Sequence, residues 1–173
     1  NKEEKGLVGA SYFAQNPTMP KTNLVANVNL DMPIVTYDFK DVVAFGAERS
    51  SIGPAVARAG ASMGIALVPD PQPEQGLFTR SDHYRFVQQG IPSVFLVTGP
   101  GGDGAVAGGA FLKTHYHQPS DDLNQSFEWG AATKFVALNL AIARQLADAP
   151  DRPRWNKGDF FGTLYGGYGA KGQ

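Results

Sequence analysis

Four short runs rich in β-branched and apolar residues alternate with stretches of helical character, and this alternation restricts the fold more than any other feature. The runs are residues 24–30 (Leu-Val-Ala-Asn-Val-Asn-Leu), 42–46 (Val-Val-Ala-Phe-Gly), 65–68 and 91–97 (Ile-Pro-Ser-Val-Phe-Leu-Val), each short enough and apolar enough for a buried strand. Between them lie a helix from about Leu7 that Asn16-Pro17 stops, and one that Ser50 or Ser51 caps and that runs to about Met63 before Gly64. A third is started by Ser81 or Asp82 and ended by Gly90, and a long one runs from about Trp129 to Ala149 with Phe135, Leu138, Leu140, Ile142 and Leu146 at partly helical spacing. Strands that alternate with helices predict a layered α/β domain. Two stretches are expected to be loop: residues 70–74, where Pro71 and Pro73 remove donors, and residues 99–109, whose six glycines exceed what regular structure tolerates. That glycine run lacks the Gly-Lys-Ser/Thr of a P-loop. Residues 151–173 read as an irregular tail packed by its aromatics.

Composition excludes several classes. A chain of 173 residues suits one domain, and 42% hydrophobic with 18% charged residues is ordinary globular content. A net charge of -1 gives no electrostatic footprint for nucleic acid or an anionic membrane, so neither is expected as a partner. No apolar run approaches the roughly 20 residues of a membrane span. There is no cysteine, so a transition metal would have to be held by His, Asp and Glu.

Four separated pieces carry the chemistry. Glu3-Glu4 precede the first helix, where acids also suit the macrodipole with no further role. Asp31 ends the first strand run, the position at which open α/β sheets place their sites. Ser81-Asp82-His83 open a helix. Residues 114–122 (Thr-His-Tyr-His-Gln-Pro-Ser-Asp-Asp) hold two of the three histidines beside two carboxylates, a metal-binding or proton-transfer pattern that is also compatible with two surface histidines in a polar loop.

In this order the set resembles an M28-like family of zinc-dependent peptidases, the one containing the bacterial co-catalytic di-zinc aminopeptidases, the glutamate carboxypeptidases and the animal glutaminyl cyclases. The matching motifs are Glu3-Glu4-Lys5-Gly6-Leu7-Val8-Gly9-Ala10, Asn29-Leu30-Asp31-Met32, Ser81-Asp82-His83 with Phe86 and Gly90-Ile91-Pro92, and His117-Gln118-Pro119-Ser120-Asp121. The resemblance implies a three-layer αβα sandwich on a mostly parallel or mixed sheet, incomplete at its N-terminal side. It implies peptide-bond hydrolysis by metal-activated water, with an exopeptidase and specifically an aminopeptidase favoured. Glu3 would be the general base; Glu4 and His117 would hold one zinc and Asp31 the other; Asp82 and Asp121 would steady the ligands by hydrogen bonds, and Tyr116 would wall the substrate pocket. His83 and His115 receive no role, and structural positions are expected for both. Relatives of this kind are often exported, which implies a secreted or periplasmic protein.

The family pattern also has an upstream His-x-Asp whose aspartate bridges two zincs, and this chain has no such motif. The chain is therefore expected to be the C-terminal part of a longer enzyme, with neither zinc site complete, weak zinc binding and little hydrolysis on its own. An unpaired sheet edge is expected, covered by a companion N-terminal fragment or a second copy. Two other activities fit the same residues less directly: a glutaminyl cyclase-type transferase, and a noncatalytic interaction domain that has kept the peptidase fold.

Overall fold

The computed structural model describes residues 6–165. Its elements are α1 (Val8–Gln15), β1 (Asn27–Asn29), β2 (Asp41–Phe45), α2 (Gly53–Ser62), β3 (Ala66–Leu67), α3 (His83–Val87), β4 (Ser93–Thr98), α4 (Gly104–Thr114), α5 (Trp129–Ala147) and α6 (Phe160–Leu164), with single 3-10 turns between several of them. The four strands form one sheet in the order β1-β4-β2-β3. β1 runs parallel to β4, β2 is antiparallel to β4, and β3 is parallel to β2, so the sheet is mixed.

Period-two alternation sends each central strand's side chains to two different cores. Val42 of β2 and Val94 and Leu96 of β4 face α2 and α5, where they meet Ile52, Val56, Phe135, Leu138 and Ile142. Val43 and Phe45 of β2 and Phe95 of β4 face the other way, toward Phe78, Val87 and Trp155. Helices thus cover both faces, and β1 and β3 lie at the two edges. The expected layered α/β architecture with a mixed, unclosed sheet is what forms.

Three expectations are corrected. The first strand is three residues long rather than spanning 24–30, because a 3-10 turn at Lys21–Asn23 precedes it and the Leu24 carbonyl is bonded by Arg152 Nη2 at 2.8 Å instead of by a neighbouring strand. Residues 99–109 are not one loop, for α4 begins at Gly104. The glycines do their work before and at that start: Gly99 N–H donates to the Asp41 carbonyl at 2.8 Å and Gly101 N–H to Asp41 Oδ1 at 3.0 Å. A Cβ at either glycine would lie 2.2–2.3 Å from the Asp41 carboxylate, and one at Gly104 would lie 2.2 Å from the Gly99 carbonyl. The turn needs glycine for close approach, and the alanines, Phe111 and Leu112 that follow then propagate a helix despite Gly108 and Gly109. Finally, the tail packs by its aromatics as expected but is not irregular throughout, since it contains a short helix. Trp155 is buried, bridges to Ser50 in an isolated antiparallel pair and donates from Nε1 to the Gly90 carbonyl at 3.0 Å, and α6 follows, capped by Asp159 Oδ1 accepting from Gly162 N–H.

Candidate active site

The register of β1 on β4 decides where the first acid falls. Asn29 pairs with Phe95, whose ring points into the core beneath α3, so Asn29 and, two residues on, Asp31 lie on the α3 side of the sheet. There Asn29 Nδ2 donates to Ser81 Oγ at 2.9 Å, and Ser81 Oγ donates to Asp31 Oδ2 at 2.5 Å. Ser81 is buried, so this relay holds one carboxylate oxygen of Asp31 in place and leaves the other for a further partner. Asp82, the next residue, is raised above the usual carboxylate range, first by burial, then by the charge of Asp31, against a smaller opposing pull from Arg85. Its Oδ1 is buried with no hydrogen-bond partner among the described residues. A half-buried acid facing a second acid is relieved by a proton or a cation, and carboxylate oxygens are donors that zinc accepts. On that ground Asp31 and Asp82 fit a metal-binding locale.

His83, the next residue, turns into the core. It is fully buried, stacked on Phe95 at 5.3 Å between centroids and tilted against Phe78 at 5.1 Å. Burial lowers its pKa to about 4, and the nearby Phe78 backbone and Asp31 charge recover little of that. Neither ring nitrogen has a hydrogen bond of normal geometry, so the Phe78 backbone is close enough to favour the charged ring slightly without satisfying it. His83 is a packing residue, as its lack of an assigned role suggested.

The second half of the site is the loop after α4. His117 is exposed, with its ring stacked on Tyr116 at 4.0 Å, and its backbone is in the left-handed region at φ 56°. Asp121 accepts from Gln125 Nε2 at 2.9 Å and sends its own N–H to the Gln118 carbonyl at 3.0 Å. Met32, Pro33, Phe111, Asp121 and Gln125 wall one small cleft, so the segment that follows Asp31 and the loop that follows His117 meet. A wider, open cleft next to it is lined by Thr36, Phe111, Thr114, His115, Ser120 and Asp122. Tyr116 packs on His117 instead of joining the residues that line either cleft.

Asp31, Ser81 and Asp82 are therefore brought together, whereas no group of three His, Asp or Glu side chains forms a metal cage among the described residues. Glu3 and Glu4 lie outside the described residues. The non-glycine residues recorded at positive φ are Leu7, Met32 and His117. In sequence, Leu7 closely follows the acid pair, Met32 follows Asp31 and the third is the histidine of the loop motif. Asn29 and Ser81 received no role from the sequence. The available signal was the i, i+2 spacing of Asn29 and Asp31 on one strand face; nothing local points to Ser81 as their bridge.

A mixed α/β sheet with helices on both faces defines an open-sheet architecture, and this one holds an acid at a strand end next to a second acid. The chain belongs to peptidase family M28, whose family model matches residues 1–143. Among solved structures it is similar to an aminopeptidase from Aneurinibacillus sp. strain AM-1, with a TM-score of 0.58 and 19% sequence identity over 90% of this chain. That likeness shows the fold, and the chain spans 36% of the aminopeptidase's length. No curated protein sequence matches the chain.

Proposed function

We propose that this chain supplies part of the active site of a zinc-dependent peptidase, an exopeptidase of the aminopeptidase type. The observation that carries the reading is the Asp31–Asp82 pair, with one Asp31 oxygen fixed by Ser81 and the buried Asp82 Oδ1 left without a partner. Membership of peptidase family M28 supports it, as does the fold shared with an aminopeptidase.

In this reading Asp31 holds one zinc, and Glu4 and His117 hold the other. Bound zinc would lower the pKa of a water and polarise the scissile carbonyl. Glu3 takes the proton of the attacking water and delivers it to the departing amine, a task for a carboxylate that stands beside the metal without ligating it. Asn29 and Ser81 orient Asp31; Asp82 steadies the locale by its charge; Asp121 braces the loop that carries His117 through Gln118 and Gln125. The edge strand β1, paired only with β4 among the described residues, is where a companion segment or second copy would add to the sheet.

The test combines zinc titration with turnover of a fluorogenic amino-acid amide, set beside a peptide with N-terminal glutamine, on a protein in which the companion segment completes the site. Asp31→Asn is expected to weaken zinc binding and amide hydrolysis together, each by at least about 100-fold, since it removes a ligand outright whereas disturbing a ligand's support alone costs 10–100-fold. Equal zinc binding by Asp31→Asn and the parent protein would sink the assignment, and cyclisation of the glutamine peptide without amide hydrolysis would replace it with a cyclase.

A further inference from the structure

His115 has no role in the assignment above, yet its side chain ties together the two ends of the loop that presents His117. We propose that His115 is a positioning residue, which with Ser120 clamps the turn carrying His117 in its strained, ligand-presenting conformation. The proposal rests on His117 being a zinc ligand.

The turn is closed by Gln118 N–H donating to the His115 carbonyl at 2.8 Å, with Tyr116 and His117 as its central residues. His117 occupies the third position at φ 56°, which turns of this kind normally give to glycine or asparagine. A histidine there is strained and stays only where surrounding contacts hold it. On the upstream side, the His115 and Tyr116 N–H groups both donate to the Phe111 carbonyl, at 2.9 and 3.0 Å, so α4 fixes the turn's entry. On the downstream side, Ser120 Oγ donates to the Thr114 carbonyl at 3.1 Å, and His115 Nδ1 lies 3.0 Å from both the carbonyl and the hydroxyl oxygen of Ser120.

Proton accounting gives the direction of these bonds. A serine hydroxyl has one hydrogen, here given to Thr114, and a carbonyl can only accept. His115 Nδ1 therefore carries a proton and donates to the Ser120 oxygens. The ring is further restrained by Phe111, 6.2 Å away between centroids and inclined by 32°. Residues 114–115 and 120 are thus joined through two side chains across the turn that holds His117 out. His115 acts on the metal site through this backbone geometry, and asparagine, whose amide nitrogen can take the place of Nδ1, should serve in its stead.

Amide hydrogen exchange on the metal-free protein reads the clamp itself. Gln118 and Asp121, whose N–H groups are bonded within the loop, should exchange at least about tenfold faster in His115→Ala and in Ser120→Ala, with His115→Asn close to the parent protein. Competition titration reads the consequence: zinc affinity should fall roughly 10–100-fold in His115→Ala and recover in His115→Asn. Unchanged exchange in both alanine variants would overturn the clamp. Faster exchange with unaltered zinc affinity, in a protein whose affinity His117→Ala does lower, would overturn the positioning role. If His117→Ala leaves zinc affinity unaltered, the ligand assignment fails and the positioning role with it, while the exchange result still decides the clamp.

Discussion

The two halves of the candidate site are built in opposite ways. Asp31 stands at the end of a strand, against a buried serine and above a core of Phe78, His83 and Phe95, and its orientation comes from side-chain hydrogen bonds that cross about half a hundred residues of sequence. His117 stands on an exposed turn after a helix, and its orientation comes from bonds among neighbours within the span 111–120. Rigidity in the first half is a property of the sheet and its core; in the second it is local and strained. In the proposed reading the zinc on Asp31 would rest on a rigid support and the zinc on His117 on an adaptable one.

That contrast can be broken most severely by acid. His83 is neutral in the folded protein with a pKa of about 4, against about 6.5 when unfolded, so the unfolded chain binds the extra proton first as pH falls. Stability is fully present above about pH 6.5 and is lost as pH falls toward 4, by about 3 kcal/mol at 1.36 kcal/mol per unit. Urea unfolding at stepped pH should show this slope, and His83→Phe, which keeps an apolar ring between Phe78 and Phe95, should remove it. A slope that persists in His83→Phe would assign the acid sensitivity elsewhere.

Next in size is Ser81→Ala. It leaves Asp31 Oδ2 and Asn29 Nδ2 without their shared partner in a partly buried place, with an expected cost of about 1–3 kcal/mol in unfolding free energy. Zinc affinity should fall about 10–100-fold in the same variant. If stability falls and affinity does not, Ser81 supports only the fold.

The smallest effect has the opposite sign. His117→Gly relieves the positive φ and should stabilise the folded loop locally, by on the order of 1 kcal/mol less the entropy that glycine adds to the unfolded chain and less the contacts its ring makes, the stack on Tyr116 among them. The same change should abolish the His117 contribution to zinc binding. A variant that is both less stable and unaltered in zinc affinity would reverse the comparison, making the histidine a structural residue of its loop.

Much of the fold was legible because periodicity is local. The core runs 42–46 and 91–97, the long helix and the stops at Asn16-Pro17, Gly64 and Gly90 all fall where apolar spacing and glycine placement indicated, to within a few residues. Residues 99–109 misled because glycine content alone does not distinguish a loose loop from a turn pressed against a carboxylate; the partner, Asp41, lies some sixty residues upstream. The strand 24–30 misled because strand length depends on what lies alongside it.

What the sequence determined by itself is the set of chemical groups and their order: acids at element ends, histidines in one loop, no thiols, and strands alternating with helices. Those are properties of residue type and short-range spacing. Tertiary structure decided the rest. It placed His83 in the core between two phenylalanines, joined Asn29 and Ser81 to Asp31, left Asp82 Oδ1 buried and unpartnered, and turned His115 onto Ser120. Burial and hydrogen-bond partnership arise only when distant segments close on one another, so identical residue types, such as His83, His115 and His117, take different parts according to which surface each is folded against.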